Sequence, residues 1–128
     1  MINKLKIATD EQLNALVATC VMEWKRTDTD WWVQGDESMP YSAIHRPYDS
    51  TPVWSPSTDI ACAFQVDKPE WEWFFGEKGD DLHANVYVAS EESGVYTVVV
   101  PLDPANKTAA YCRGRCIAAC YACGITEV

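Results

Sequence analysis

The chain has 128 residues, 48% of them apolar and six of them Trp, which is one domain's length with enough apolar material for a packed core. Its formal net charge is −9, with ten Lys and Arg in all. Ten scattered cations argue against direct binding to long nucleic acid, which needs clustered positive charge. The acid excess fits a well-solvated protein, or a face that attracts a basic partner or imitates DNA.

At the N-terminus, two Lys and Asp10 stand where an export signal would carry an apolar core. No apolar run approaches the ~20 residues of a membrane span. Leu16-Val17-Ala18-Thr19-Cys20 has the outline of a lipoprotein cleavage box, but it follows two acids and lies on a helical stripe. The host cell cytoplasm, away from membranes, is the expected location. Thr9-Asp10-Glu11-Gln12 reads as a capping box. Leu13, Leu16, Val17, Cys20, Val21 and Trp24 then recur at steps of three and four, so the spacing predicts a helix over 10–26.

Residues 27–54 carry Pro, Gly and Asp at short intervals and have no period, which predicts a long loop, functional by its length. Trp31-Trp32-Val33 within it suggests a short strand. Ser55 capping Pro56 predicts a second helix to about 67 that buries Ile60, Ala63 and Phe64. Alternation predicts strands over 71–75, 82–89 and 95–100, with a turn over 76–81 and a hairpin at Ser90-Glu91-Glu92-Ser93-Gly94. A last helix is expected over 108–123, stopped by Gly124. The result is a single α+β domain over 1–128, an antiparallel sheet of three or four strands covered by helices. The element order is helix, loop, helix, three strands, helix.

Four of the six cysteines, Cys112, Cys116, Cys120 and Cys123, fall on the last helix. Their directions lie within roughly 80° of one another at 100° per residue. Eight residues of helix span about 12 Å, whereas four thiolates on one zinc each lie about 2.3 Å from it, so one helix cannot close such a site. Cys120 and Cys123 also sit at the negative end of the helix, which disfavours a thiolate. The expectation is no metal and no cofactor, with a stripe of small soft side chains packing the helix on the sheet. No nucleophile elbow, phosphate loop or zinc-hydrolase motif occurs. His45 and His83 are isolated, and Glu70, Glu72, Asp80 and Asp81 lack calcium-loop spacing. No catalytic residue is assigned.

Three stretches, in order, are Ala15-Leu16-Val17-Ala18 with Val21-Met22-Glu23-Trp24, then Trp54-Ser55-Pro56-Ser57-Thr58-Asp59-Ile60-Ala61-Cys62-Ala63, then Ala110-Tyr111-Cys112-Arg113. In these, and in the strands between them, the chain resembles the phage ABA sandwich domain family. Glu23 stands where the resemblance implies a small residue, and Gly114-Arg115 interrupts an Ala-rich stretch. The resemblance implies a three-layer α/β/α sandwich and a phage context, and no established activity.

Two functions fit. The first is a phage accessory protein that binds, and sequesters, a small nucleotide-like ligand of bacterial anti-phage signalling. Trp31, Trp32 and Trp54, with Tyr41 and Tyr48, offer stacking faces. Ser57, Thr58 and the N-terminus of the second helix offer donors to phosphate. Arg113, oriented by Asp59, offers a guanidinium fork, with Arg115 close by in sequence. The alternative is an acidic protein-binding inhibitor of a host enzyme, in the extreme a DNA mimic. Homo-oligomerisation is left open.

Overall fold

The computed structural model of the chain describes residues 4–23, 25–26, 32–33, 55–89 and 94–126. In chain order these form a 3₁₀ turn (Lys4–Ile7), α1 (Asp10–Leu16), a π turn (Val17–Val21), β1 (Lys25–Arg26), β2 (Trp32–Val33), α2 (Ile60–Ala63), β3 (Trp71–Lys78), β4 (Asp81–Val88), β5 (Val95–Pro101) and α3 (Lys107–Ala122). The class is α+β, a three-stranded antiparallel sheet plus three helices, with β1 and β2 as a separate antiparallel pair.

The capping box forms as its residues require. The Gln12 amide donates to Thr9 Oγ1 at 3.1 Å, and the Thr9 amide donates to Gln12 Oε1 at 2.9 Å. Leu13, Val17 and Val21 follow on one buried face. The helix expected over 10–26 is nevertheless shorter. It widens into the π turn after Leu16, where the Met22 amide reaches back to the Val17 carbonyl at 2.9 Å. Glu23 then takes φ +58°, a left-handed conformation that no continuing helix allows, and 25–26 become a strand. The left-handed residue stands at the position where the family resemblance implies a small side chain. The strand suggested at Trp31-Trp32-Val33 is present as Trp32–Val33, paired antiparallel with β1.

The second helix starts later than the sequence suggested. Ser55 opens a turn, receiving the Thr58 and Asp59 amides at 3.1 and 2.7 Å. Asp59 is the true cap, its carboxylate accepting from the Ala61 amide at 2.9 Å. The later start rotates the apolar face. Cys62, Ala63 and Val66 go to the core, while Ile60 and Phe64 are exposed, Phe64 at 67%.

In the sheet, β4 lies between β3 and β5. Trp71 pairs with Val88, Ala84 with Val98 and Leu82 with Val100, and all six are buried on the inner face. Phe74, Tyr87 and Val95 point the other way and are exposed. The expected turn over 76–81 shrinks to Gly79-Asp80, because Gly76 pairs with His83 and Lys78 with Asp81. Gly79 takes φ +58° there, which a two-residue hairpin turn demands.

Helix α3 is capped by Asn106, whose side chain accepts from the Ala109 amide at 3.2 Å. It packs on β4 and β5 with one side, and the π turn, α1 and α2 pack against it in turn. Enclosed this way, α3 is buried at every position from Gly114 to Cys120, as a helix apolar all round should be. The cysteine stripe does not face the sheet. Cys112 lies beside Cys62 and Asp59, and Cys120 beside Cys20. The sheet side is set by Gly114, where a Cβ would stand 3.0 Å from that of Ala84.

Candidate functional site

The residues expected to bind ligand do not gather at one place. Trp31 and Trp54 lie outside the described residues, as do Tyr41, Tyr48 and His45. Trp32 is in β2. Ser57, Thr58 and Asp59 form the turn and cap before α2, and their backbone amides and the Thr58 hydroxyl have partners within the chain. The Ser57 amide donates to Asn14 Oδ1 at 2.9 Å, Thr58 Oγ1 meets Ser55 Oγ at 2.6 Å, and Asp59 holds the Ala61 amide. Ser57 Oγ is buried without a partner. A four-residue helix with its first N–H groups already met offers little to an anion.

Arg113 pairs with Asp10 at 3.3 Å rather than with Asp59. It also donates to the carbonyls of Lys6, at 3.0 Å, and Ala8. One helix thus straps the N-terminal 3₁₀ turn to itself through a single guanidinium, whose side chain stays 25% exposed. Its exposed side faces a pocket of about 370 Å³ lined by Lys6, Arg113, Asn106 and Asp103 over an aliphatic floor that includes Val100 and Pro101. This volume is at the lower end of small-molecule sites, about 300–1,000 Å³. Two cations and the N-terminal end of a 16-residue helix with no acid in its first turn converge there, offset in part by Asp103 in the lining and by Asp10, which pairs with Arg113.

Arg115 is two residues on, about 200° around the helix, and meets different surroundings. It is 8% exposed, donates from Nε to the Val66 carbonyl at 3.0 Å, and lies 4.1 Å from the Trp73 ring centroid. Trp73 stacks on Phe75 at 6.0 Å, and Phe75 meets Tyr111 at 5.3 Å. Tyr111 and Lys107 both donate to Glu77, each at 3.0 Å, which holds that carboxylate below its usual range.

Burial governs the thiols. Cys112 is pushed up to about 11 and Cys120 to about 12, first by loss of solvent and then by neighbouring acid or thiol groups. Cys116 is raised well above its ordinary value for the same reason. These are poor nucleophiles. Among the described residues no group of three His, Cys, Asp or Glu could hold a metal ion, and no helix is long and apolar enough to cross a membrane.

Sequence reasoning missed Lys6, Asn106 and Asp103 because a pocket between a 3₁₀ turn and a helix start has no motif. It grouped Arg113 with Arg115, although a spacing of two already sends them to opposite sides of a helix. Comparison with protein-family models, with curated proteins and with solved structures finds no match for the chain.

Proposed function

We propose that the protein binds and sequesters a small, phosphate-bearing, nucleotide-like molecule of bacterial anti-phage signalling, in the pocket between the 3₁₀ turn and α3. The observation that carries this is the convergence of Lys6, Arg113 and the α3 N-terminus on one 370 Å³ pocket in a chain of net charge −9. Anions bind where helix N-terminal dipoles and cations coincide. Val100 and Pro101 give an apolar surface for the body of the ligand, and the Asp103 carboxylate would accept from a ribose hydroxyl. The proposal includes membership of the phage sandwich family, its three-layer α/β/α arrangement and action in the host cytoplasm. The order of the three motifs supports those parts.

Calorimetric titration with a panel of cyclic and linear nucleotides tests the reading. At least one should bind. Lys6→Gln should weaken it about tenfold, the worth of one hydrogen bond to a charged group at about 1.5 kcal/mol, and leave the melting temperature unchanged, since the Lys6 side chain supports nothing else described. Failure of every nucleotide to bind would transfer the proposal to the acidic protein-binding inhibitor. One observation favours that second reading: the outer sheet face carries Phe74, 56% exposed, and the cross-strand pair Tyr87 and Val95, also exposed, apolar groups of the kind that mark contact surfaces.

A further inference from the structure

A guanidinium taken out of water normally finds a carboxylate, because an unpaired buried charge costs several kcal/mol. Arg115 has none. The nearest acid along the chain from its carbonyl partner is Asp67, one of whose carboxylate oxygens, Oδ1, is engaged elsewhere and which forms no ion pair with Arg115. That oxygen accepts from Trp73 Nε1 at 3.0 Å and from the Lys68 amide at 2.9 Å. Among the described residues, Arg115 forms no ion pair and a single hydrogen bond, from Nε to the Val66 carbonyl. The guanidinium carries five N–H donors, so the four on Nη1 and Nη2 have no protein acceptor there. Neither Nη is among the fully buried polar atoms that lack a partner, so the small exposure of this residue falls on the fork. Two rings lie near the guanidinium carbon instead, Trp73 at 4.1 Å and Phe64 at 5.8 Å.

We propose that Arg115 anchors a second binding site, specific for a monocarboxylate carried on an aromatic or branched apolar body. The fork presents two parallel N–H groups to one carboxylate, the geometry in which Arg binds that group best. The Trp73 contact and the bond to the Val66 carbonyl hold the buried side chain before the ligand arrives, so little side-chain entropy is lost on binding. The apolar body is called for by Phe64, whose ring is 67% exposed beside the guanidinium. Covering it removes apolar area from water, which favours binding. A single negative charge is called for by Asp67, which accepts from the indole of the same Trp73 that lies over the guanidinium and so repels a dianionic phosphate more than a monocarboxylate. The site is independent of the Lys6–Arg113 pocket, since Arg115 leaves α3 in the opposite direction.

The test is an NMR titration of the full chain with phenylacetate, in parallel with uncharged phenylacetamide and with phenyl phosphate. Phenylacetate should bind saturably and shift the Arg115 Nε–H, the Val66 and Phe64 amides and the Trp73 indole. Phenylacetamide should do so at least tenfold more weakly. Arg115→Lys keeps the charge and removes the fork, and should weaken phenylacetate at least tenfold. Phe64→Ala, at an exposed position that leaves the fold intact, should weaken it several-fold, and decides the matter if Arg115→Lys does not fold. The proposal is overturned if phenylacetate gives no saturable shift, if phenylacetamide binds equally well, if phenyl phosphate binds more tightly, if the shifts gather on Lys6 and Arg113, or if Phe64→Ala leaves the affinity unchanged.

Discussion

Arg113 and Arg115 belong to the same helix and differ in almost every physical respect. Arg113 is partly exposed, pairs with Asp10 and ties two carbonyls of the N-terminal segment to α3. Arg115 is buried, has no carboxylate within ion-pair distance among the described residues and rests on an aromatic ring. A surface guanidinium is cheap to hold and easy to pair. A buried one is tolerated only if its surroundings replace water, and a cation–π contact replaces part of it. The difference teaches that an Arg on a helix is read from its angular position and its neighbours on the facing element, not from its nearness in sequence to another Arg.

The largest effect expected is at Arg115. Arg115→Ala leaves the Val66 carbonyl without its donor and opens a cavity beside Trp73, and should lower stability by about 2–4 kcal/mol. Arg115→Met, which fills the space without the charge, should recover at least half of that loss. Denaturant midpoints of the two variants measure it, and equal losses would mean that the hydrogen bond, not the packing, holds this region together.

Arg113→Ala should cost less, about 1–2 kcal/mol, since its bonds are partly open to water. Its signature is local. Amide exchange from the Lys4–Ile7 turn into the start of α1 should speed up while α3 stays protected, because the strap holds the segment from Lys6 to Asp10. Uniform acceleration through α3 would break the contrast drawn between the two arginines.

Gly114 stands between them and holds α3 against the sheet. Gly114→Ala places a methyl 3.0 Å from that of Ala84. The gain in helix propensity, about 1 kcal/mol, offsets part of the overpacking, about 1–3 kcal/mol. The expected net is a loss of about 1 kcal/mol in thermal unfolding, and a stabilised variant would show that α3 has room to move.

The smallest effect is at Glu77, beside the aromatic ladder on the Arg115 side. Hydrogen bonds from Lys107 and Tyr111 hold its folded pKa below the ordinary value. A depressed carboxylate contributes stability that is present above its unfolded pKa, about 4.3, and is lost as pH falls through the lower folded value. Glu77→Gln should therefore melt slightly below wild type at neutral pH, and the gap should close in acid. A gap that widens in acid would contradict the assigned hydrogen bonds.

Much of the fold could be read from the chain. Thr9 to Gln12 spelled out the first cap, the alternation of Leu82, Ala84, Val86 and Val88 gave the inner face of the sheet, and the helix expected over 108–123 with its stop at Gly124 matches α3 within a residue. The errors have local causes. The apolar steps through Cys20 and Trp24 continue a helical period across a π turn, where the backbone no longer follows it. At α2, Ser55-Pro56 is a good helix start in general, but Asp59 competes as a cap and the later start wins, which exposes Phe64. The sites were less legible. Lys6, Asn106 and Arg113 converge only through the 3₁₀ turn folding back on α3, and the Arg115 cluster needs the register of β3, which a sequence does not display.

The central claim is that the Lys6–Arg113 pocket is where the protein takes its ligand. A ¹H–¹⁵N correlation spectrum recorded during titration with each nucleotide of the panel tests it most directly. The account predicts saturable shifts confined to Lys6, Asn106, Ala109, Ala110 and Arg113, lost in Lys6→Gln. Shifts absent for every nucleotide, or gathered on Phe64 and Trp73 instead, would contradict it.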